Sequence, residues 1–400
     1  MLENETLISL LKNFTKWLLF SLLVSFFVGS ASAGFLLSLD TITSLRIQNS
    51  YLVFFLPLAG LCIVAYYFYF GKDIEKGTNL VIENCIHNSG TIPLKISPAI
   101  LCSTLLTHLF GGSAGREGTA VIMSGGITDY LSKYFKFDNK TLIYKCAIAA
   151  GFSSVFGTPI AGIFFALEVC IVGNINLKYT APILFCSLGA DWVTSHVWSV
   201  THTHYSISQL NFSVYTFVKL IVLGILFGLF ARFYTFLNTY ILELFKTYFK
   251  NVFTRVVVGS LSITTVIYCF DLHAFSGLSL DFLAAAFVTQ QNLSVAVFKT
   301  FLTIVTLSCG FKGGEVTPLF VIGACLGSFL SGYLGISTDI AAALGFVAIF
   351  SGASKTPLTC TIMGIELFGA PLGIALLLTS FISFYCSGNK SIYSSQIKAQ

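Results

Sequence analysis

AAGFSSVFGTPIAGIFFALE, residues 149–168, and VAIFSGASKTPLTCTIMGIE, residues 347–366, are one pattern written twice. Glu168 and Glu366 close the two copies 198 positions apart, and the same interval aligns Phe152 with Phe350, Ser153 with Ser351, and Thr158-Pro159 with Thr356-Pro357. A second pair keeps that interval: GREGTAV around Glu117 and GGEVTPL around Glu315, so that Gly115 meets Gly313 and Thr119 meets Thr317. Two unlinked segments sharing one offset point to an internal duplication, the mark of transporter folds built from two related halves that meet at a midplane site. The halves should part near the polar run THTHYSISQLNFS, Thr201 to Ser213. We therefore expect one transmembrane domain over residues 1–400, with a first repeat at 17–205 and a second at 206–395.

Composition places the duplication in a membrane. Of the 400 residues, 55% are apolar and 10% charged, and mean hydropathy is +0.85. Soluble domains carry about 25% charged residues, so a disordered chain, a soluble enzyme and a nucleic-acid module are excluded. Windows free of Asp, Glu, Lys and Arg run over Trp17–Leu39 (23 residues), Tyr51–Phe70 (20), Ile96–Gly115 (20) and Cys146–Leu167 (22). Each passes the roughly 20-residue length of a spanning helix. Others, such as Val256–Phe270 and Ile340–Ser354 at 15 residues each, are too short. Such pieces predict an all-α polytopic membrane protein with broken and re-entrant helices, tolerated at depth only inside protein or along a wet cavity.

The net charge of +5 comes without a long basic run and reads as topology. Lys12 and Lys16 precede the first span; Lys133, Lys136, Lys140 and Lys145 crowd one loop, and Lys246, Lys250 and Arg255 another. Short Lys/Arg-rich loops stay cytoplasmic, which predicts a cytoplasmic N-terminus in a cell (inner or plasma) membrane. The eleven cysteines form no CxxC and sit mostly in apolar stretches, as small buried hydrophobes do.

Chemistry concentrates in four short segments. LFGGSAGREGTAV (109–121) sets Arg116 and Glu117 among glycines and between uncharged windows, and an ionisable group at membrane depth marks an ion or proton pathway. Glu117, before Gly118 and Thr119, should open a helix whose free N–H groups attract an anion or a carboxylate. GFKGGEVTPLF (310–320) repeats the arrangement with Glu315, and Pro318 suits a first helical turn. EKGTNLVIE (75–83) offers the Thr78 hydroxyl and the Asn79 amide, whose ordinary reading is a helix N-cap. GNKSIYSSQ (388–396) offers the Tyr393 phenol, by itself a membrane-interface tyrosine.

Taken together, GREGT, GFKGGEVTP, the two TP helices that end in glutamate, and GNKSIYSSQ resemble the CLC family of anion channels and anion/proton antiporters. The likeness runs from about Lys76 to Ser395, and within the family it is similar to the fluoride/proton branch. The resemblance implies a CLC-like fold of two inverted structural repeats, a homodimer, and transport of fluoride or chloride against protons across the lipid bilayer. It further implies that Glu117 is the gating and proton-carrying glutamate, with Glu315 a candidate to assist proton transfer. Thr78, Asn79, Val316, Thr317 and Tyr393 then fall on anion-binding positions. Chloride/proton exchangers carry a second proton glutamate where this chain has Val169, so the inner proton route differs here.

Fluoride is compact and strongly hydrated, and hydroxyls with helix-start amides are the donors to replace its water. The expected function is proton-coupled fluoride export. A chloride channel or chloride/proton exchanger of the same fold is the nearer alternative. A membrane-embedded enzyme using Glu117 and Glu315 as an acid pair is the alternative of another class. No cofactor, nucleic acid or metal is expected: His196, His202 and His204 lack a nearby carboxylate or cysteine partner and read as interface histidines. Glu168 and Glu366 are open between solvent-facing helix ends and a structural or pathway role.

Overall fold

The computed structural model describes residues 2–177, 180–203 and 205–399, with residues 2–10 as backbone only. Among them are sixteen α-helices. Eight precede the polar run: α1 (Leu2–Gln48), α2 (Leu56–Tyr69), α3 (Thr78–His87), α4 (Ile96–Leu109), α5 (Glu117–Ser132), α6 (Lys140–Phe156), α7 (Pro159–Glu168) and α8 (Thr180–Trp192). Eight follow it: α9 (Val214–Tyr248), α10 (Val252–Cys269), α11 (Leu280–Val288), α12 (Leu293–Ser308), α13 (Val316–Leu334), α14 (Thr338–Ser354), α15 (Pro357–Phe368) and α16 (Gly373–Cys386). Starts of corresponding helices, such as Pro159 with Pro357 and Lys140 with Thr338, recur at the interval seen in the sequence.

Five helical stretches are long and apolar enough to cross a membrane: Leu11–Gln48, Ser50–Tyr69, Val214–Tyr248, Val252–Cys269 and Val316–Leu334. They divide by burial. The most apolar window of α13 is 78% buried and that of α9 is 33%, so α13 lies within the protein while α9 keeps Val218, Phe233 and Phe236 outward, where lipid would lie.

Two windows that pass the spanning-length test are not single spans. Cys146–Leu167 is broken where Gly157 takes φ +69° to cap α6 and Pro159 opens α7. Proline lacks the N–H a continuing helix needs and clashes with the turn before it. The second half breaks alike, with Lys355 at φ +63° ahead of Pro357. Ile96–Gly115 is helical only to Leu109 and then gives way to the glycine loop. The result is a set of half-helices whose ends lie deep inside.

Small residues let the inner helices touch. A Cβ on Gly323 or Gly327 of α13 would strike the backbone of Gly345 or Ala341 on α14, so these two helices pack backbone to backbone. This is the small-xxx-small arrangement of membrane helix pairs. In the first half a Cβ on Gly151 of α6 would lie 2.8 Å from the Ala120 carbonyl of α5. A two-residue parallel pairing of β1 (Ile171–Val172) with β2 (Ile397–Lys398) fixes the C-terminal segment beside the end of α7. The fold is an all-α, polytopic membrane architecture of two inverted repeats with broken helices.

Candidate functional site

The starts of α5 and α13 face each other at the centre. Gly115 and Gly314 exchange two backbone hydrogen bonds, 2.6 Å from the Gly115 N–H and 2.8 Å from the Gly314 N–H, in an antiparallel bridge. Glycine is required here because the backbones touch: a Cβ on Gly314 would lie 2.9 Å from the Gly118 nitrogen, and one on Gly313 would lie 2.5 Å from the Ala114 Cβ. Repeat-matched segments thus place two helix N-termini side by side.

Glu117, 1% exposed, puts its carboxylate on the opposing helix start. Its Oε2 accepts from the Thr317 N–H at 3.0 Å and the Arg116 N–H at 3.1 Å, and its Oε1 accepts from the Thr317 hydroxyl. The Arg116 Nε stands 3.7 Å from Oε1. The carboxylate therefore occupies donors that a small anion would use. Thr317, expected to offer its amide to an anion, has given that amide to Glu117.

Two cavities flank this carboxylate. One, of about 420 Å³, is lined by Thr78, Asn79, Gly118, Glu315, Val316 and Tyr393, with Lys76, Lys246 and Lys312 at its margin. The other, of about 240 Å³, is lined by Arg116, Glu117, Thr317, Tyr205 and Asp281. Glu117 and Thr317 line only the second, while Gly118 and Val316 line the first. Chain neighbours thus line different cavities, with the bonded Glu117–Thr317 pair on the smaller one.

The remaining candidates divide. Gly77 at φ +57° is the N-cap of α3, so Thr78 is the first helical residue and its hydroxyl is not the cap. A Cβ on Gly118 would lie 3.4 Å from the Thr78 Oγ1, which sets that hydroxyl against the start of α5. Asn79 faces the same cavity, but its Oδ1 accepts from the Ser395 N–H at 3.2 Å and so ties the C-terminal segment to α3. Tyr393, on that segment, sets its ring edge-on to Phe165 at 6.2 Å.

Glu315 turns away from Glu117. Its Oε1 accepts from the Asn238 amide of α9 at 3.0 Å, and its Oε2 is buried without a hydrogen-bond partner among the described residues. Tyr234, four residues before Asn238, also has a buried hydroxyl without such a partner. Leu242 and Lys246 continue this four-residue spacing along α9 and line the larger cavity. Sequence reasoning missed Asn238 and Tyr234; the available signal was a single asparagine four residues after a tyrosine in a long, largely apolar helix that also carries Lys219, Arg232, Glu243 and Lys246.

Glu168 is buried and Glu366 half-buried, and neither lines the two cavities. Glu168 accepts from the Leu358 N–H (3.1 Å), the Thr359 N–H (2.9 Å) and the Thr359 hydroxyl (2.7 Å) at the start of α15. Glu366 accepts from the Ile160 and Ala161 N–H groups, both at 2.8 Å, at the start of α7. Neither Thr158 nor Thr356 caps its own helix, so each half supplies the other's missing cap. Val169 is buried at 1% exposure and carries no titratable group. His196 stacks on Trp192 at 5.5 Å, whereas His202 lines the smaller cavity; His204 lies outside the described residues.

These features (paired helix starts on glycine, a carboxylate bound across them, and two inverted repeats) define a membrane anion-pathway fold. Residues 58–388 match the family described as voltage gated chloride channel, and the chain belongs to that family. It is 35% identical over 398 residues to a chloride/fluoride channel protein of Pseudomonas syringae pv. tomato, covering 97% of this chain and 88% of that one. An H(+)/Cl(-) exchange transporter of Vibrio cholerae is 25% identical over 313 residues, covering 70% and 64% of the two chains. Among solved structures, a CLC-type fluoride/proton antiporter superposes with a TM-score of 0.94 at 30% identity, over 96% of this chain and 98% of that one. A slow cyanobacterial Cl-/H+ antiporter gives 0.82 at 19% identity, over 95% and 96%, which speaks to the fold alone.

Proposed function

We propose that this chain exports fluoride in exchange for protons, with Glu117 as the gate. One observation carries the reading: the Glu117 carboxylate sits on the Thr317 amide and hydroxyl between two cavities. While ionised, it holds those donors strongly, as charge-assisted bonds do. Taking a proton removes the charge, weakens the hold and frees the carboxylic acid to swing out. An anion from the larger cavity then takes the vacated donors, with the Thr78 hydroxyl, the Val316 helix start and the Tyr393 phenol nearby. Asn79 orients the wall that carries Tyr393. Carboxylate and anion thereby exclude each other on one set of donors, and a proton decides which of them holds it, which links anion movement to proton movement.

Fluoride is favoured over chloride by the neighbourhood of Glu315 and by the relatives in whose names fluoride stands. Glu315, held by Asn238 and with one oxygen unpartnered, is the group to pass protons towards the larger cavity in place of the residue that Val169 lacks. The lysines at the margin of that cavity give it the cytoplasmic side. Lys16 donates to the Lys136 carbonyl at 3.3 Å, which brings the N-terminal helix to the lysine-rich 133–140 loop and supports, on the same rule, a cytoplasmic N-terminus. The assembly is a homodimer in the cell membrane, with repeats at 17–205 and 206–395.

The test is efflux from proteoliposomes followed by fluoride and pH electrodes together. Fluoride efflux matched by proton uptake is expected, and Glu117→Ala should leave fluoride flux without proton movement. Chloride efflux of equal rate would turn the reading to the chloride alternative, and intact proton coupling in Glu117→Ala would remove Glu117 as the gate.

A further inference from the structure

Beyond the anion path lies a third cavity, of about 490 Å³, enclosed by the end of α14, the end of α16 and the tail 388–398. Three lysines line it, Lys355, Lys390 and Lys398, and no carboxylate does among the described residues. Lys355 is 4% exposed, and its ammonium donates to the Ser387 hydroxyl at 2.5 Å. An ammonium has three donors. A buried cation is costly unless it is paired, yet none of the three lysines forms an ion pair among the described residues. Lys398 donates to the Asn389 carbonyl oxygen at 2.7 Å, which steadies the exposed side of the cavity. Asn389, Gln396, Ser391 and Ser394 add amide and hydroxyl donors, and Tyr385 and Phe384 add an aromatic wall.

We infer that this cavity binds a phosphate-bearing anion through Lys355, Lys390 and Lys398. A lone halide would fill little of this volume, since it needs not much more than one water's share of roughly 30 Å³. Several ammonium groups with neutral donors between them suit a multiply charged anion with many acceptor oxygens, and lysine serves phosphate as a point charge. The phosphate could come from a soluble molecule or from a lipid headgroup, and the chemistry at the lysines is the same. The inference stands apart from fluoride transport, although Tyr393 lines both this cavity and the anion path. An occupant would therefore lean on the segment that carries this phenol.

The experiment uses the full chain, purified in detergent and then reconstituted in nanodiscs. Inorganic pyrophosphate is titrated at constant ionic strength and followed by calorimetry, and retained lipid is read by native mass spectrometry from discs containing or lacking phosphatidylglycerol. The variants are Lys390→Ala/Lys398→Ala, which changes only exposed lysines, and Lys390→Arg/Lys398→Arg. Loss of two charge-assisted contacts should weaken pyrophosphate binding about tenfold or more, with arginine restoring most of it. That result assigns a soluble phosphate. No pyrophosphate binding, but retention of phosphatidylglycerol that the alanine variant loses and the arginine variant keeps, assigns a headgroup. Binding of both ligands that the alanine variant leaves unchanged, or binding of neither, overturns the inference.

Discussion

Glu168 and Glu366 exchange helix starts, each carboxylate taking amides from the other half. Glu117 and Glu315 keep the same sequence interval but not the same exchange. Glu117 crosses to Thr317, whereas Glu315 stays on Asn238 of its own half, and its other, buried oxygen has no hydrogen-bond partner among the described residues. Where the two-fold relation holds, every carboxylate oxygen is satisfied and the pair works as a staple between repeats. Where it fails, one carboxylate sits on the opposing helix start and the other borders a cavity. Departure from symmetry, more than the presence of charge, separates the transport site from the scaffold.

The largest effect should come from removing the crossing carboxylate. Glu117→Gln cannot ionise, so fluoride flux in proteoliposomes should lose its proton component altogether; a normal proton-to-fluoride ratio would erase the distinction drawn here. Next is Glu315→Gln, expected to slow coupled exchange by roughly tenfold while leaving thermal unfolding in detergent close to the parent, a contrast a purely structural glutamate would not give. The opposite profile is expected of the staple. Glu168→Ala should destabilise by about 2 kcal/mol or more, because three donors lose a charged acceptor, and Glu366→Ala by less, because two do. The folded fraction of either variant should keep its proton-to-fluoride ratio, and a changed ratio would place these residues on the pathway.

Asn238→Leu should be milder still. It removes one neutral donor to Glu315, with a several-fold slowing of exchange that follows pH differently from the parent. The smallest effect lies outside the crossings. The Lys95 ammonium, 2.8 Å from Asp73, holds that carboxyl below its ordinary range by a direct hydrogen bond. A lowered folded-state value means the contribution is present above the unfolded range near pH 4 and is lost as pH falls through the folded one. Lys95→Ala should therefore cost ~0.2–0.5 kcal/mol at neutral pH, since both groups are exposed, and less near pH 2, where only its bond to the Phe70 carbonyl remains to be lost. An equal loss at both values would show the lysine acting by packing or through that carbonyl alone.

Much of this contrast was legible in the sequence, and the unread part has physical causes. The repeat interval, the glycine-flanked Glu117 and Glu315 and the membrane class follow from residue spacing and charge scarcity. The break at Thr158-Pro159 was written in the chain, but a charge-free window runs over it because neither glycine nor proline carries charge. Asn238 reaches Glu315 from α9 across a tertiary contact, with Tyr234 one turn before it, and no local pattern encodes that meeting. The role of Glu168 was undecidable for a similar reason: its partners lie 190 and 191 positions away. Asn79 reads as a helix cap or a ligand group, and only the fold reveals its tie to Ser395.

The paired hydrogen bonds of Gly115 and Gly314 carry a mechanical consequence. They rivet the repeats together at the midline, beside the place where an anion would pass. A machine that worked by tilting one repeat against the other would shear that rivet in every cycle and strand four backbone groups, two N–H and two C=O, away from water. In the exchange proposed for Glu117 the moving part is one side chain, and the bridge leaves the frame around it undisturbed.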